Sequence, residues 1–430
     1  MKTPFLTAAL AMSALAGMAA AVPTVEFVDS GFLITDLSQD GTIGAGNVQG
    51  DGSFETFRWT LEGGVQQLGR GSVVPLGIGG GSPDISYDGA RISATIITAD
   101  GMFQTQGLWD IATGWTETMP PLPPDGLAQD QELGSAWGLS GDGGTLTGYY
   151  RGFNGRAFGS TWSADTGMVH VSQVLGSSVR VDAASFDGSV VCGWEDLLGP
   201  RLPTAWRNGV KFPLFDADGG GGGGAWDLTQ DGSMIVGSEY KESIITRVPT
   251  IWTWNGSSYD MQNLEFLPGT QINFGQAYLS TVSADGSIAG GSNVFTQNPG
   301  GPRTGIIWTP AGGVVDVVDY FDSIGITDQI PANFDIREVT AISPDGNAIA
   351  VIGLQNDTFA FQTMIVYLNN ETACPGDTNG DNIVNFTDLN AVLAAFGESG
   401  EGLAGDVNGD GVVNFTDLNE VLANFGADCN

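Results

Sequence analysis

Short apolar runs of strand length, each set off by one recurring turn, fill most of the chain after its first twenty or so residues. Met234-Ile235-Val236-Gly237 and Val190-Val191-Cys192-Gly193 are two such runs, and each follows a Ser/Thr-x-Asp-Gly turn by a single residue. The Asp of that turn recurs at Asp40, Asp88, Asp142, Asp187, Asp231, Asp285 and Asp345, with spacings of 48, 54, 45, 44, 54 and 60 residues. Gly after Asp supplies the positive φ of a tight turn, and a Ser or Thr hydroxyl two residues before the Asp bonds inside it. Five residues beyond the turn glycine another Gly stands in five copies, at Gly46, Gly148, Gly193, Gly237 and Gly291, with Ala94 and Val351 in the other two. Glycine inside a strand marks a bulge or a close backbone approach, here expected where blades crowd the axis.

Self-similarity at this period is the mark of stacked supersecondary units, and strand-length runs make those units the blades of a propeller. The predicted fold is mainly β, a seven-bladed β-propeller over 22–370, followed by a small α-helical module over 374–430. The last repeat offers three strands, Val339 to Ser343, Ala348 to Gly353 and Phe359 to Leu368. An unpaired edge there is a liability, so Thr24 to Val28 is expected to supply the fourth strand and close the ring. An aromatic stands 18 to 22 residues after each turn glycine, at Trp59, Trp109, Trp162, Trp206, Trp252, Trp308 and Tyr367. A residue that recurs in every blade reads as a wedge between blades rather than as a row of sugar platforms. Between these anchors Val317 to Ile324 is predicted as a short helix, and the six glycines Gly219 to Gly224 as a flexible linker.

Composition adds the setting. Residues 1–21 carry Lys2, an apolar run and Ala19-Ala20-Ala21, which reads as a signal peptide. No other stretch approaches the roughly 20 apolar residues of a membrane span. The formal charge of −35 repels phosphate backbones and anionic lipid, which excludes nucleic acid as a partner. The arginines are few and scattered along the chain, and no carboxylate-binding cluster of them is predicted. His170, the only histidine, lies in a strand-like alternation, and Cys192 lies inside a blade as a core thiol. The one carboxylate pair worth testing for catalysis is Glu195 with Asp196, beside Trp194.

From Cys374 the text changes to two copies of one unit offset by 29 residues. Asp377, Asn379, Asp381 and Asp388 with the carbonyl of Ile383, and Asp406, Asn408, Asp410 and Asp417 with that of Val412, occupy loop positions 1, 3, 5, 12 and 7. That pattern of oxygen donors suits a hard cation, and two calcium ions are expected. Each loop precedes one amphipathic helix, with Leu389, Val392, Leu393 and Phe396 matching Leu418, Val421, Leu422 and Phe425, so that one apolar stripe is expected to face the other. Cys374 and Cys429 bracket the segment, and a disulfide between them is expected to close it.

Two resemblances follow from these residues. The repeats resemble the extracellular HAF-type family through Phe57-Arg58-Trp59, Ala157-Phe158 with Trp162, and Ala360-Phe361, which implies a secreted β-propeller and no particular reaction. The C-terminal segment resembles a dockerin, the calcium-dependent module that attaches secreted bacterial proteins to cohesin partners. It departs from that pattern in Asn382 at a glycine position of the first loop, and in Phe386-Thr387 and Phe415-Thr416 where Ser/Thr pairs are common. The resemblance implies a cohesin-like or other surface docking partner. The expected function is an exported, non-catalytic binding or structural surface protein, with a polysaccharide as a candidate ligand. The alternative is a secreted carbohydrate-active enzyme carried by a dockerin.

Overall fold

The computed structural model describes residues 23–48, 54–72, 81–101, 103–118, 134–153, 155–172, 177–196, 201–216, 222–296, 301–368, 376–379, 383–400, 403–408 and 411–427. Predicted residues 1–21, Gly219 to Gly221, Asp381, Asn382, Asp410, Cys374 and Cys429 lie outside them. The chain divides into two compact units, one of them Pro23–Leu368 and the other containing Asn369–Asn430.

The first unit is seven four-stranded antiparallel sheets, six of which run in sequence order from the inner to the outer strand. The seventh is shared between the chain ends. Thr24–Phe27 pairs antiparallel with Ala360–Tyr367, from Thr24 opposite Tyr367 to Phe27 opposite Met364. The predicted closure is therefore present, and Phe27 packs edge-on against Phe334 with ring centroids 5.4 Å apart.

The recurring turn does more than reverse the chain. In the first copy Ser38 Oγ donates to Asp40 Oδ1 at 3.1 Å, Asp40 Oδ1 accepts from Thr42 N at 3.0 Å, and Ser38 Oγ accepts from Ile43 N at 3.1 Å. In five of the seven copies the second residue of the turn then reaches the next blade. Gln39 N donates to the Tyr87 carbonyl at 2.8 Å, Tyr87 N to Gly141 at 2.8 Å, Phe186 N to Gln230 at 2.9 Å, Gln230 N to Ala284 at 3.0 Å and Ala284 N to Pro344 at 2.8 Å. Asp142 N to Phe186 at 2.9 Å and Asp345 N to Gln39 at 3.1 Å complete a closed backbone ring. Proline has no N–H to give, which is why Asp345 donates in that copy. An additional turn of the same composition, Thr98 to Gly101, lies at the other end of the second blade and outside the ring.

The repeat aromatics are wedges, as predicted. Trp59, Trp206, Trp252 and Trp308 are buried, each in a cluster that includes residues of the adjoining blade, and Tyr367 donates its hydroxyl to the Gly41 carbonyl at 2.9 Å. Burying one such ring stabilises the fold by about 3 kcal/mol. The repeat glycines sit under a bulge of the inner strand. A Cβ on Gly237 would lie 2.1 Å from the Gly224 carbonyl oxygen, and on Gly193 2.0 Å from that of Arg180. Gly237→Ala is expected to destabilise the propeller by roughly 2 to 3 kcal/mol, because the blocking atom is backbone and cannot rotate aside. A thermal melt of the variant within a degree of the parent would refute this.

The predicted short helix forms as Val317–Ser323 (α1), capped by Asp316, whose carboxylate accepts from Val318 N at 2.8 Å. In the second unit two helices, Phe386–Ala395 (α2) and Phe415–Ala423 (α3), meet over a core of Val384, Val392, Val413 and Val421. Here the stripe is narrower than expected: Leu393 and Leu422 are 52% exposed, and Phe396 and Phe425 are 40% exposed. The phenylalanines pack instead across the pseudo-twofold as edge-on pairs, Phe386 with Phe425 at 4.9 Å and Phe396 with Phe415 at 5.0 Å.

Candidate functional site

The propeller axis is lined by one residue per repeat, the one three before the Ser or Thr of the turn. In six blades the inner strand bulges at or beside it, and Thr35, Trp137, Asp182, Trp226, Ser280 and Thr340 project into a cavity of about 540 Å3. A bulge re-aims a side chain out of the alternating pattern of a strand. The following residue staples neighbouring blades together. Asp36 Oδ2 accepts from Ile85 N at 2.9 Å, Asp84 Oδ2 from Leu139 N at 2.8 Å, and Asp227 Oδ2 from Val282 N at 2.8 Å. Burial, and then the charge of Asp84, raises Asp36 well above the usual carboxylate range, and the two share a hydrogen bond. Burial pushes Asp227 up to about 7.

The cavity itself is cationic. Arg180, Arg201, Arg247 and Arg303 line it, against the carboxylates of Asp182 and Glu338. Arg201, Arg247 and Arg303 open or nearly open the third strands of three successive blades, each five residues before the wedge Trp206, Trp252 or Trp308. Strand pairing sets them at the end of the blades away from the turn ring, since Arg201 faces Asp196 at the far end of the second strand. The expectation of scattered arginines is corrected here: they are far apart in sequence, and the blades' common register brings four of them to one cavity. Arg180 pairs with Asp182 at 2.6 Å and stacks 3.5 Å from the Trp137 ring, while Arg303 pairs with Glu338 at 3.1 Å and donates to Tyr278 Oη at 3.1 Å. Arg201 and Arg247 make no ion pair among the described residues. Arg201 lies 4.4 Å from the Trp194 ring centre. Burial, and then the neighbouring guanidinium of Arg180, lowers the pKa of Arg201, and burial followed by Arg201 does the same to Arg247.

The residues singled out for catalysis lie elsewhere. Glu195 is 1% exposed, is held by Lys211 and accepts from Ser172 Oγ at 3.4 Å; neither it nor Asp196 lines the cavity. His170 stands on the outermost strand Gly167–His170 of its blade, half-buried, with burial lowering its pKa. Cys192 is fully buried in the cluster around Trp252, and its thiol pKa is raised by burial.

In the C-terminal unit the two loops are built alike. Asp388 and Asp417 are fully buried and stand at the third position of their helices. Asp388 accepts through Oδ2 from Asn385 N at 2.8 Å and through Oδ1 from Thr378 N at 2.9 Å; Asp417 accepts from Asn414 N at 2.8 Å and Val407 N at 2.9 Å. One carboxylate thus ties the start of each loop to its helix. Asn385 Nδ2 donates to the Ile383 carbonyl and Asn414 Nδ2 to that of Val412, both at 3.0 Å, which fixes the backbone oxygen expected at loop position 7. Asp406 Oδ2 accepts from Gly411 N at 2.8 Å, and Asp377 Oδ1 from Asn379 N at 3.2 Å, so the loops curl around their first residues. The donors are all hard oxygens, and a carboxylate with four acceptor positions retains capacity beyond two N–H bonds. These residues fit calcium.

Residues 375–425 match the dockerin type I domain. Such domains bind calcium and dock to cohesins in general. No curated protein matches the chain. Among solved structures, the chain is similar to an oligogalacturonate lyase from Vibrio parahaemolyticus (13% identity, 81% of this chain and 98% of that one, TM-score 0.49). It is also similar to the propeller domain of the Trilobed protease from Pyrococcus furiosus (10%, 78% and 95%, 0.45). TolB from Acinetobacter baumannii gives 12% identity over 76% of this chain and 64% of its own length, with a TM-score of 0.40. Within the dockerin domain, Asp377, Asn379, Ile383 and Asp388 belong to the first loop and Asp406, Asn408, Val412 and Asp417 to the second. No described helix is long and apolar enough to cross a membrane.

Proposed function

We propose that this protein is an exported, non-catalytic binding or structural propeller, held at its place of work by a dockerin domain carrying two calcium ions. Residues 1–21 act as its signal peptide, and a cohesin-type or other surface protein is its docking partner. The observation that carries the reading is the doubled loop in which Asp388 and Asp417, fully buried, each bond the opening of their loop. Calcium supplies the charge that holds the remaining loop carboxylates together. The exposed phenylalanine pairs and Leu393 with Leu422 give the domain an apolar face on either side of its pseudo-twofold. The resemblance of the repeats to extracellular HAF-type sequences agrees with export.

A non-catalytic propeller is supported by the state of the cavity carboxylates, since Asp182 is held by Arg180 and Glu338 by Arg303. The test is binding of the purified full-length protein to a panel of cohesins in millimolar calcium and in chelator. Complexes in calcium that dissolve in chelator are expected. No complex with any cohesin, or binding indifferent to calcium, would remove the docking reading. Products released from a polysaccharide panel would turn the assignment to the carbohydrate-active enzyme instead.

A further inference from the structure

We propose that the axial cavity binds an acidic saccharide, the carboxylate of a hexuronate unit lying between Arg201 and Arg247. This rests on the reading of the propeller as a binding module and names its ligand class. The chain as a whole is acidic, with 14 Lys and Arg against 49 Asp and Glu, yet this cavity gathers Arg180, Arg201, Arg247 and Arg303 against only Asp182 and Glu338. Concentrating like charges costs free energy, visible in Arg201 and Arg247, where the neighbouring guanidinium adds to burial. A purely structural arginine has an acid or carbonyl partner, as Arg180 and Arg303 do with Asp182 and Glu338. Arg201 and Arg247 make no ion pair among the described residues, and they stand at the same position of successive blades.

Two observations point to a sugar rather than to a bare anion. The volume of about 540 Å3 is that of a pocket for a ligand of several rings, far beyond phosphate or sulfate. Trp137, Trp194, Trp226 and Tyr278 line it, and aromatic side chains offer an apolar body beside a polar tip, which suits the mixed faces of a pyranose. A guanidinium presents a planar fork that matches a carboxylate, so two of them on adjacent blades favour a carboxylated sugar.

The test uses the full-length protein in calcium, without cohesin, so its result is independent of whether docking occurs. Calorimetry would measure a galacturonate tetrasaccharide, its methyl ester, cellotetraose, and inorganic sulfate and phosphate. The acidic tetrasaccharide should bind, with at least tenfold loss on esterification, which removes the charge without touching the protein. Arg201→Ala and Arg247→Ala should each weaken it by roughly 10- to 100-fold, as expected for a lost charge-assisted hydrogen bond. Arg337→Ala, which removes equal charge outside the cavity, should leave it unchanged. Arg201 opens its strand and makes no ion pair among the described residues, so its variant is expected to keep the parent melt. Equal binding of ester and acid, binding untouched by either cavity variant, displacement by millimolar sulfate or phosphate, or no binding of the acidic tetrasaccharide would each overturn the proposal.

Discussion

Chelation of calcium is expected to unfold the dockerin domain and leave the propeller's melting transition in place. The domain's core is four valines and a few half-buried neighbours, in a segment that carries ten carboxylates and no Lys or Arg. A unit of this size supplies at most about 3 to 5 kcal/mol from its own apolar burial. Calcium at a thousandfold excess over its dissociation constant adds about 4 kcal/mol per site, so two sites outweigh the core. Without metal the loop carboxylates repel one another, and binding energy becomes folding energy. Two transitions in calcium and one in chelator are the expected calorimetric result. In chelator Asp388→Ala and Asp417→Ala are expected to match the parent, because the domain is unfolded in all three and only the propeller transition remains. In calcium each variant loses one site together with the bonds its carboxylate makes to the loop opening and the helix N-cap, and the domain's transition falls by several kcal/mol. Identical melting with and without chelator would remove the metal sites and the docking reading with them.

Deleting Pro23 to Val28 is expected to open the propeller, lowering its melting transition and producing dimers or aggregates on size exclusion. The lost strand buries Val28, packs Val25 and Phe27 on the cluster around Phe321 and Phe334, and bonds Val28 N to the Thr363 carbonyl at 3.0 Å. Three apolar side chains at about 1.5 to 3 kcal/mol each put the loss at roughly 5 to 8 kcal/mol, an upper estimate against an extended reference chain. Its removal also bares the edge of Ala360–Tyr367, which then offers unpaired N–H and C=O groups to a second molecule. A monomer with the parent's melting temperature would show that the ring does not need its terminal strand.

Blade number, ring closure, wedge aromatics and the doubled loop-helix unit were legible in the residues because each rests on local chemistry at fixed spacing. Asp-Gly makes a turn wherever it stands, a seven-fold period counts blades, and a twelve-residue alternation of oxygen donors describes a cation site without help from the rest of the chain. The last repeat's missing strand was visible by simple counting. In the C-terminal unit the helical stripe was legible in kind but not in width, since periodicity places Leu393 and Leu422 near the interface while Val392 and Val421 are the stripe residues fully buried in it, with Leu389 and Leu418 packed beside them.

Only the tertiary structure decided what the axis carries. Glu195 beside Trp194 looked chemical in sequence, but its carboxylate turns to Lys211. Arg180, Arg201, Arg247 and Arg303 looked scattered because they belong to three blades, and no local rule links one blade's residue to the next. A signal was present all the same, in Arg five residues before the wedge tryptophan in three successive repeats and in the axial residue three before each turn. Its meaning depended on the bulges, which turn one side chain per inner strand toward the axis, and on the closed rotation of the blades, which brings equivalent positions together at one mouth. Local sequence sets what each blade is made of; the circular packing sets which side chains meet, because meeting is a property of the ring and of no single repeat.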